Sequence, residues 1–195
     1  MSDLKTHLHN YLREARQALL WKLAGLSEYD ARRPLTASGS NVLGIIKHAA
    51  SVELGYLSDC FGRPSDIEAP WMGFDVEPNA DMFATADQSC EFIIDFFRRG
   101  SAHADATIEA LDLEAPGHVM WWEPSKADVT LGQILVHLIA EMHRHAGHVD
   151  ILRETIDDMA GWRPTADLMW EPESGWSAYC ARLQALAETF RADNA

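Results

Sequence analysis

Apolar residues recur along this chain at intervals of three and four, and no alternating stretch exceeds a few residues, so the spacing predicts helices and makes sheet improbable. From about Leu4 to Leu26, the positions Leu12, Ala15, Leu19, Leu20 and Leu23 define a first helix that ends at Gly25 and the polar residues beyond. The turn-rich segment RRPLTASGSN leads to VLGIIKHAASVELGYLSDCFG, a second helix with Ser40 as N-cap and Gly62 before Pro64 as its stop. From Arg63 to about Ala84 no period is present, which predicts a long connection over one end of the bundle, of a length often reserved for function. Thr85 with Gln88 forms a capping-box pattern ahead of the third helix, SCEFIIDFFRRGSAHADATIEAL. Thr130 with Gln133 repeats the pattern ahead of the fourth and longest helix, LGQILVHLIAEMHRHAGHVDILRETIDD. Beyond Gly161 and Pro164, a tryptophan-rich connector leads to Ser174 as the start of an amphipathic last helix, SGWSAYCARLQALAETFRA.

The expected fold is therefore all-α: a four-helix bundle with an extra C-terminal helix, in one domain spanning residues 1–195. Two long connections among the four helices permit crossovers, so simple up-down-up-down order is not required. No window approaches the ~20 apolar residues of a membrane span. The charged start, MSDLKTHLHNYLREARQALLWKL, has none of the parts of a secretory signal, which gives the expectation of a cytoplasmic protein. The three cysteines, Cys60, Cys90 and Cys180, stand far apart without a CxxC pair and read as reduced thiols. Thirty acidic against sixteen basic residues leave a formal charge of −14 with no Lys/Arg cluster, which argues against a nucleic-acid partner.

The chemistry concentrates on the fourth helix. At ~100° per residue, His137, Glu141, His145 and His148 fall within an arc of roughly 80°. Ile134, Leu138, Met142, Val149, Leu152 and Ile156 project on the same side, so the stripe faces the core, while His143 points away. A carboxylate in such a face must be paired or coordinate a cation. On the second helix, His48 shares an inward face with Asn41, Ile45, Val52 and Tyr56 and can meet the Glu141/His145 pair. Two imidazoles and a carboxylate suit a transition metal with open positions. The bland reading is a buried Glu141–His145 ion pair with His48 as a satisfied core histidine. Spacing alone does not rank the histidines of the stripe.

Three stretches resemble a known family: LLWKLAGLSEYDARRPLTASGSNVLGIIKHAASVELGYLSDCFGRP from Leu19, DMFATADQ from Asp81, and VTLGQILVHLIAEMHRHAGHVDILRE from Val129. They are similar to the DinB-like metal-dependent bundles, and within these to the maleylpyruvate isomerase-like, mycothiol-dependent group. The resemblance implies His48, Glu141 and His145 as metal ligands, with Glu141 standing where many superfamily members carry histidine. Zinc is the first expectation for the metal and nickel the second. Relatives of this kind use the metal to activate a low-molecular-weight thiol such as mycothiol, for S-transfer to electrophiles or for isomerisation. The isomerases carry a further C-terminal domain, and here a connector and one helix stand in its place, so S-transfer comes first. Partners are then a small thiol and a small electrophile. The alternatives are a metal-dependent hydrolase and a non-catalytic metal- or ligand-binding bundle.

His148, Tyr56 and Arg153 are the candidate catalytic residues around that centre. His148 neighbours the ligands and could hydrogen-bond or meet substrate; Tyr56, two turns from His48, is a proton donor or a core tyrosine. Arg153, with Arg32 and Arg33, is placed to hold a carboxylate of thiol or substrate, or to pair with acids such as Asp30 and Glu154. Trp71, Trp121 and Trp122 either wall the metal end of the bundle or only seal it. Cys60 lacks an activating partner and reads as structural. The apolar faces of the first and last helices offer a homodimer contact, which no sequence feature specifies.

Overall fold

The computed structural model describes residues 4–73, 75–164 and 170–191. Six α-helices occur among them: α1 (Leu4–Trp21), α2 (Glu28–Arg32), α3 (Val42–Leu57), α4 (Cys90–Ala110), α5 (Leu131–Asp157) and α6 (Gly175–Glu188). No helix among the described residues is long and apolar enough to cross a membrane.

Local hydrogen bonding explains each boundary. α1 stops earlier than its apolar spacing predicts, because residues 22–26 tighten into i→i−3 turns and Gly25 takes a positive φ of 78°. Ser27 caps the short α2, its hydroxyl accepting the Asp30 N–H at 3.0 Å, inside a segment too brief to show a period. Asn41 rather than Ser40 is the N-cap of α3, with Oδ1 accepting from Gly44 N at 2.8 Å. α4 is capped by Ser89. The expected Thr85–Gln88 box closes a turn four residues earlier instead, Thr85 N–H donating to Gln88 Oε1 at 3.1 Å. Thr130 does cap α5, its hydroxyl accepting from Gln133 N at 3.3 Å. Ser174 precedes α6 without a side-chain cap bond, and no residue of α6 is buried.

One element departs from the strand-free expectation. β1 (Pro116–His118) and β2 (Asp128–Thr130) pair antiparallel, Gly117 opposite Val129, as a small ribbon leading into α5. Three residues per strand are too few to reveal alternation in sequence.

The main helix packings are α3 with α4, α1 with α5, α3 with α5 and α1 with α4, so α1 and α3 face each other diagonally, as do α4 and α5. Side-chain bonds fix the directions. Lys5 near the start of α1 donates to Glu109 O and Leu111 O at the end of α4, so these two helices are antiparallel. Arg153 of α5 donates to Lys22 O and Ala24 O just past the end of α1, which makes α1 and α5 parallel. Ser101 donates to Glu53 Oε2, and Thr107 to Leu57 O, so α3 and α4 are also parallel. Two parallel neighbours joined in sequence need a return leg the length of the bundle. The irregular connection 58–89 is that leg, and it runs back over the flank of α3.

Leu12, Leu19, Leu43, Ile46, Ile93, Phe96, Phe97, Ile134, Leu138 and Val149 fill the core between these four helices. A polar network crosses it: Arg16 of α1 bonds Glu53 of α3 at 2.6 Å and Asp105 of α4 at 2.5 Å, and His9 adds a 2.6 Å contact to Asp105. Glu53 is fully buried, and burial pushes its carboxyl above the ordinary range despite Arg16 and Ser101.

Candidate functional site

Two polar layers stack between α3 and α5. In the first, His48 and His145 meet edge to face with ring centroids 4.8 Å apart. In the second, Tyr56 and His137 do the same at 5.0 Å. Moving eight residues forward on α3 requires eight backward on α5, so the two helices are antiparallel and in register across the site. Glu141 lies midway between the layers on α5. Its Oε2 is 3.4 Å from His145 Nε2, a pair one helical turn apart.

The electrostatics of the first layer are set by burial. The His145 side chain is only 12% exposed. Desolvation, then the proximity of His48, push its pKa down to about 4 despite the nearby Glu141 carboxylate, so the ring is neutral around pH 7. Its Nδ1 is buried without a hydrogen-bond partner among the described residues. An orphaned ring nitrogen in a neutral imidazole is costly unless something else uses it. His48 is more open, and its Nδ1 lies 2.6 Å from Asp81 Oδ2. Glu141 is the most exposed member of the trio, at 36% of its side chain.

No group of three or more His, Cys, Asp or Glu residues is placed to hold a metal ion among the described residues. The donors themselves nevertheless fit a divalent transition metal in kind. His145 is held neutral and has an unused nitrogen, His48 has one nitrogen tied to a carboxylate, and Glu141 supplies charge beside them.

Tyr56 is buried beneath two tryptophans. Its hydroxyl accepts from Trp122 Nε1 at 2.8 Å and Trp121 Nε1 at 3.4 Å, with the rings edge to face. Trp121 and Trp122 thus cover the second layer, and Trp122 also packs against His137. Trp71 does not join them. It packs on Phe96 of α4, donates to Ser51 Oγ at 2.8 Å and seals the core instead.

His148 is exposed one turn beyond His145, ring centroids 5.9 Å apart. His143 is exposed on another face. Arg153 corrects the expectation of a substrate-holding arginine. It is 2% exposed and lies two turns past His145, about 12 Å along the helix. Its guanidinium is committed to Asp157 and to the carbonyls of Lys22 and Ala24. Its acid partner is Asp157, not Glu154. Arg32 is committed likewise, to Glu28 and the carbonyls of Ala84, Thr85 and Gln88, and Arg33 to Asp30. Cys60 is buried, and desolvation pushes its thiol up to about 11, away from nucleophilic use.

Asp81 is the residue that the sequence alone did not single out. It opens the stretch DMFATADQ, yet nothing within an aperiodic loop ties one of its acids to a histidine on a helix.

The family model described as mycothiol-S-transferase matches residues 7–158, which contain α3, α4, α5, all but the first turn of α1, and both polar layers. No curated protein matches the chain. Among solved structures, a conserved protein from Enterococcus faecalis superposes with a TM-score of 0.53, covering 80% of this chain and 98% of its own, at 16% identity. That likeness concerns the fold alone. The chain belongs to the mycothiol-S-transferase family of DinB-like helical bundles.

Proposed function

We propose that this protein transfers the sulfur of a small, mycothiol-type thiol to a small electrophile at a divalent cation held by His48, Glu141 and His145. The observation that carries the reading is the edge-to-face His48–His145 pair, with the His145 ring held neutral, beside the Glu141 carboxylate in a bundle of this family. Zinc suits two imidazoles and one carboxylate best, with nickel second. When bound there, the cation lowers the pKa of a thiol so that the nucleophilic thiolate predominates at neutral pH.

The chain's own residues supply the rest. His148, exposed beside His145, accepts the thiol proton as the thiol enters. Trp121 and Trp122 exclude water from the inner layer and offer apolar surface to the electrophile. Tyr56 accepts two indole N–H groups, so its own hydroxyl proton is free to be donated to a group that gains negative charge.

The test is metal content by elemental mass spectrometry on protein purified without a histidine tag, joined to turnover of an electrophile panel with and without thiol. About one equivalent of zinc or nickel, with turnover that needs both metal and thiol, is the expected result. Turnover without thiol would instead favour metal-assisted hydrolysis. Ligand capture with no turnover would favour a binding bundle.

A further inference from the structure

The contact between His48 Nδ1 and Asp81 Oδ2, at 2.6 Å, reaches across from α3 to the return leg of the chain. An ionised carboxylate can only accept, so the proton of the neutral imidazole sits on Nδ1. Nε2 is then the nitrogen with a free lone pair.

Asp81 is held in place by α3 itself. Lys47, the residue before His48, donates to the carbonyls of Ala80 and Phe83 at 2.8 Å each, on either side of Asp81, and to Gln88 Oε1 at 2.9 Å. A lysine that is 1% exposed is sustained by such a full set of acceptors. Asn41 Nδ2 reaches Met82 O at 3.4 Å. Gly44, one turn before His48, lets that same carbonyl lie against the helix: a Cβ on Gly44 would overlap Met82 O. Asn41, Gly44 and Lys47 thus grip residues 80–83 and present the Asp81 carboxylate to His48.

We propose that Asp81 is a positioning residue, which fixes His48 as the Nδ1–H tautomer with Nε2 presented to the cation, and that Gly44 and Lys47 hold Asp81 for this purpose. The proposal rests on the reading of His48 as a ligand. A carboxylate behind a ligating imidazole fixes its orientation and raises its basicity, and losing such a partner typically costs ~10–100-fold in metal affinity.

Two readouts test it, besides thermal unfolding as a check on folding. Nitrogen-15 NMR of the histidine side chains gives the His48 tautomer in the metal-free protein, at a pH where the ring is neutral. Zinc titration against a chromophoric chelator gives the affinity. The wild type is expected to show His48 as Nδ1–H. Asp81→Ala should lose that fixed tautomer and bind zinc about 10–100-fold more weakly. Asp81→Asn, which keeps an acceptor oxygen, should retain the tautomer and recover part of the affinity. Gly44→Ala should reproduce the Asp81→Ala tautomer change with the carboxylate intact, because it pushes the 80–83 turn off the helix. An Nε2–H tautomer in the wild type, or unchanged tautomer and zinc affinity in Asp81→Ala, would overturn the proposal. Failure of the wild type to take up zinc would overturn the cation reading itself, and the tautomer measurement would still decide for or against Asp81.

Discussion

His48 and His145 meet edge to face with ring centroids 4.8 Å apart, although they belong to helices whose chain directions are opposed. Eight residues further along one helix and eight back along the other, Tyr56 and His137 repeat the contact. The site is therefore a ladder built on one antiparallel helix pair, with Glu141 between its rungs. Removing one side of the first rung should empty it: His145→Ala is expected to reduce zinc from near one equivalent to background. His143→Ala, on an exposed face of the same helix, should leave it unchanged. Elemental mass spectrometry on tag-free protein distinguishes them. Full zinc occupancy in His145→Ala would remove His145 from the ligand set.

The second rung predicts a divided effect for Tyr56→Phe. The phenol oxygen accepts from both indoles, so its loss leaves the well-aligned Trp122 N–H without an acceptor. That should cost about 1–3 kcal/mol of stability in urea unfolding. If the hydroxyl also donates a proton during transfer, kcat should fall by about 10²–10⁴ while KM for the thiol stays near wild type. A stability loss with unaltered kcat would confine Tyr56 to packing.

Arg153 lends itself to the opposite pattern. Its guanidinium bridges Asp157 and two carbonyls just past the end of α1, and it is almost fully buried. Arg153→Ala leaves those acceptors without their charged donor and should cost about 3 kcal/mol. KM for thiol and electrophile should not change, since the side chain lies away from the histidine pair. A KM raised tenfold in a variant that remains folded would return Arg153 to the binding site.

The long helices and the His/Glu stripe were legible because both rest on the period of 3.6 residues, which local sequence displays directly. His137, Glu141 and His145 needed only their spacing to be placed on one face. Three things lay beyond that kind of signal. The return leg 58–89 reads as aperiodic, but that it joins two parallel helices depends on packing between residues far apart, such as Ser101 with Glu53. Asp81 meets His48 only because Gly44 admits the Met82 carbonyl, a steric fact with no sequence period. Arg153 was open to a substrate role because, beside Asp157 one turn on, its oxygen acceptors are the backbone carbonyls of Lys22 and Ala24 far away in the chain, which sequence does not display. The capping residues fell in between: Thr130 caps its helix as predicted, while the Thr85–Gln88 pattern closes a turn and leaves the cap to Ser89.

Asp105 gives a prediction in pH. Burial pushes its carboxyl up, but hydrogen bonds from Arg16 and His9 and their charges outweigh this and hold it below the ordinary value of 3.8. The unfolded chain therefore takes up a proton at higher pH than the folded one. The stabilisation is complete above the unfolded value of 3.8 and is lost as pH falls through the lower folded value. Glu53 shares Arg16 but is shifted upward by burial, so its proton arrives before that of Asp105 as acid is added. Asp105→Asn should lower stability by about 1.5–3 kcal/mol at neutral pH, the range for a hydrogen bond to a charged group. The gap to wild type should narrow as pH drops below 3.8, because the unfolded wild type then gains a proton that its folded state still resists. Urea unfolding of the two proteins at about pH 7 and about pH 3 measures it. A gap that stays constant between those conditions would show that Asp105 acts through shape and hydrogen bonding alone, without a contribution from its charge.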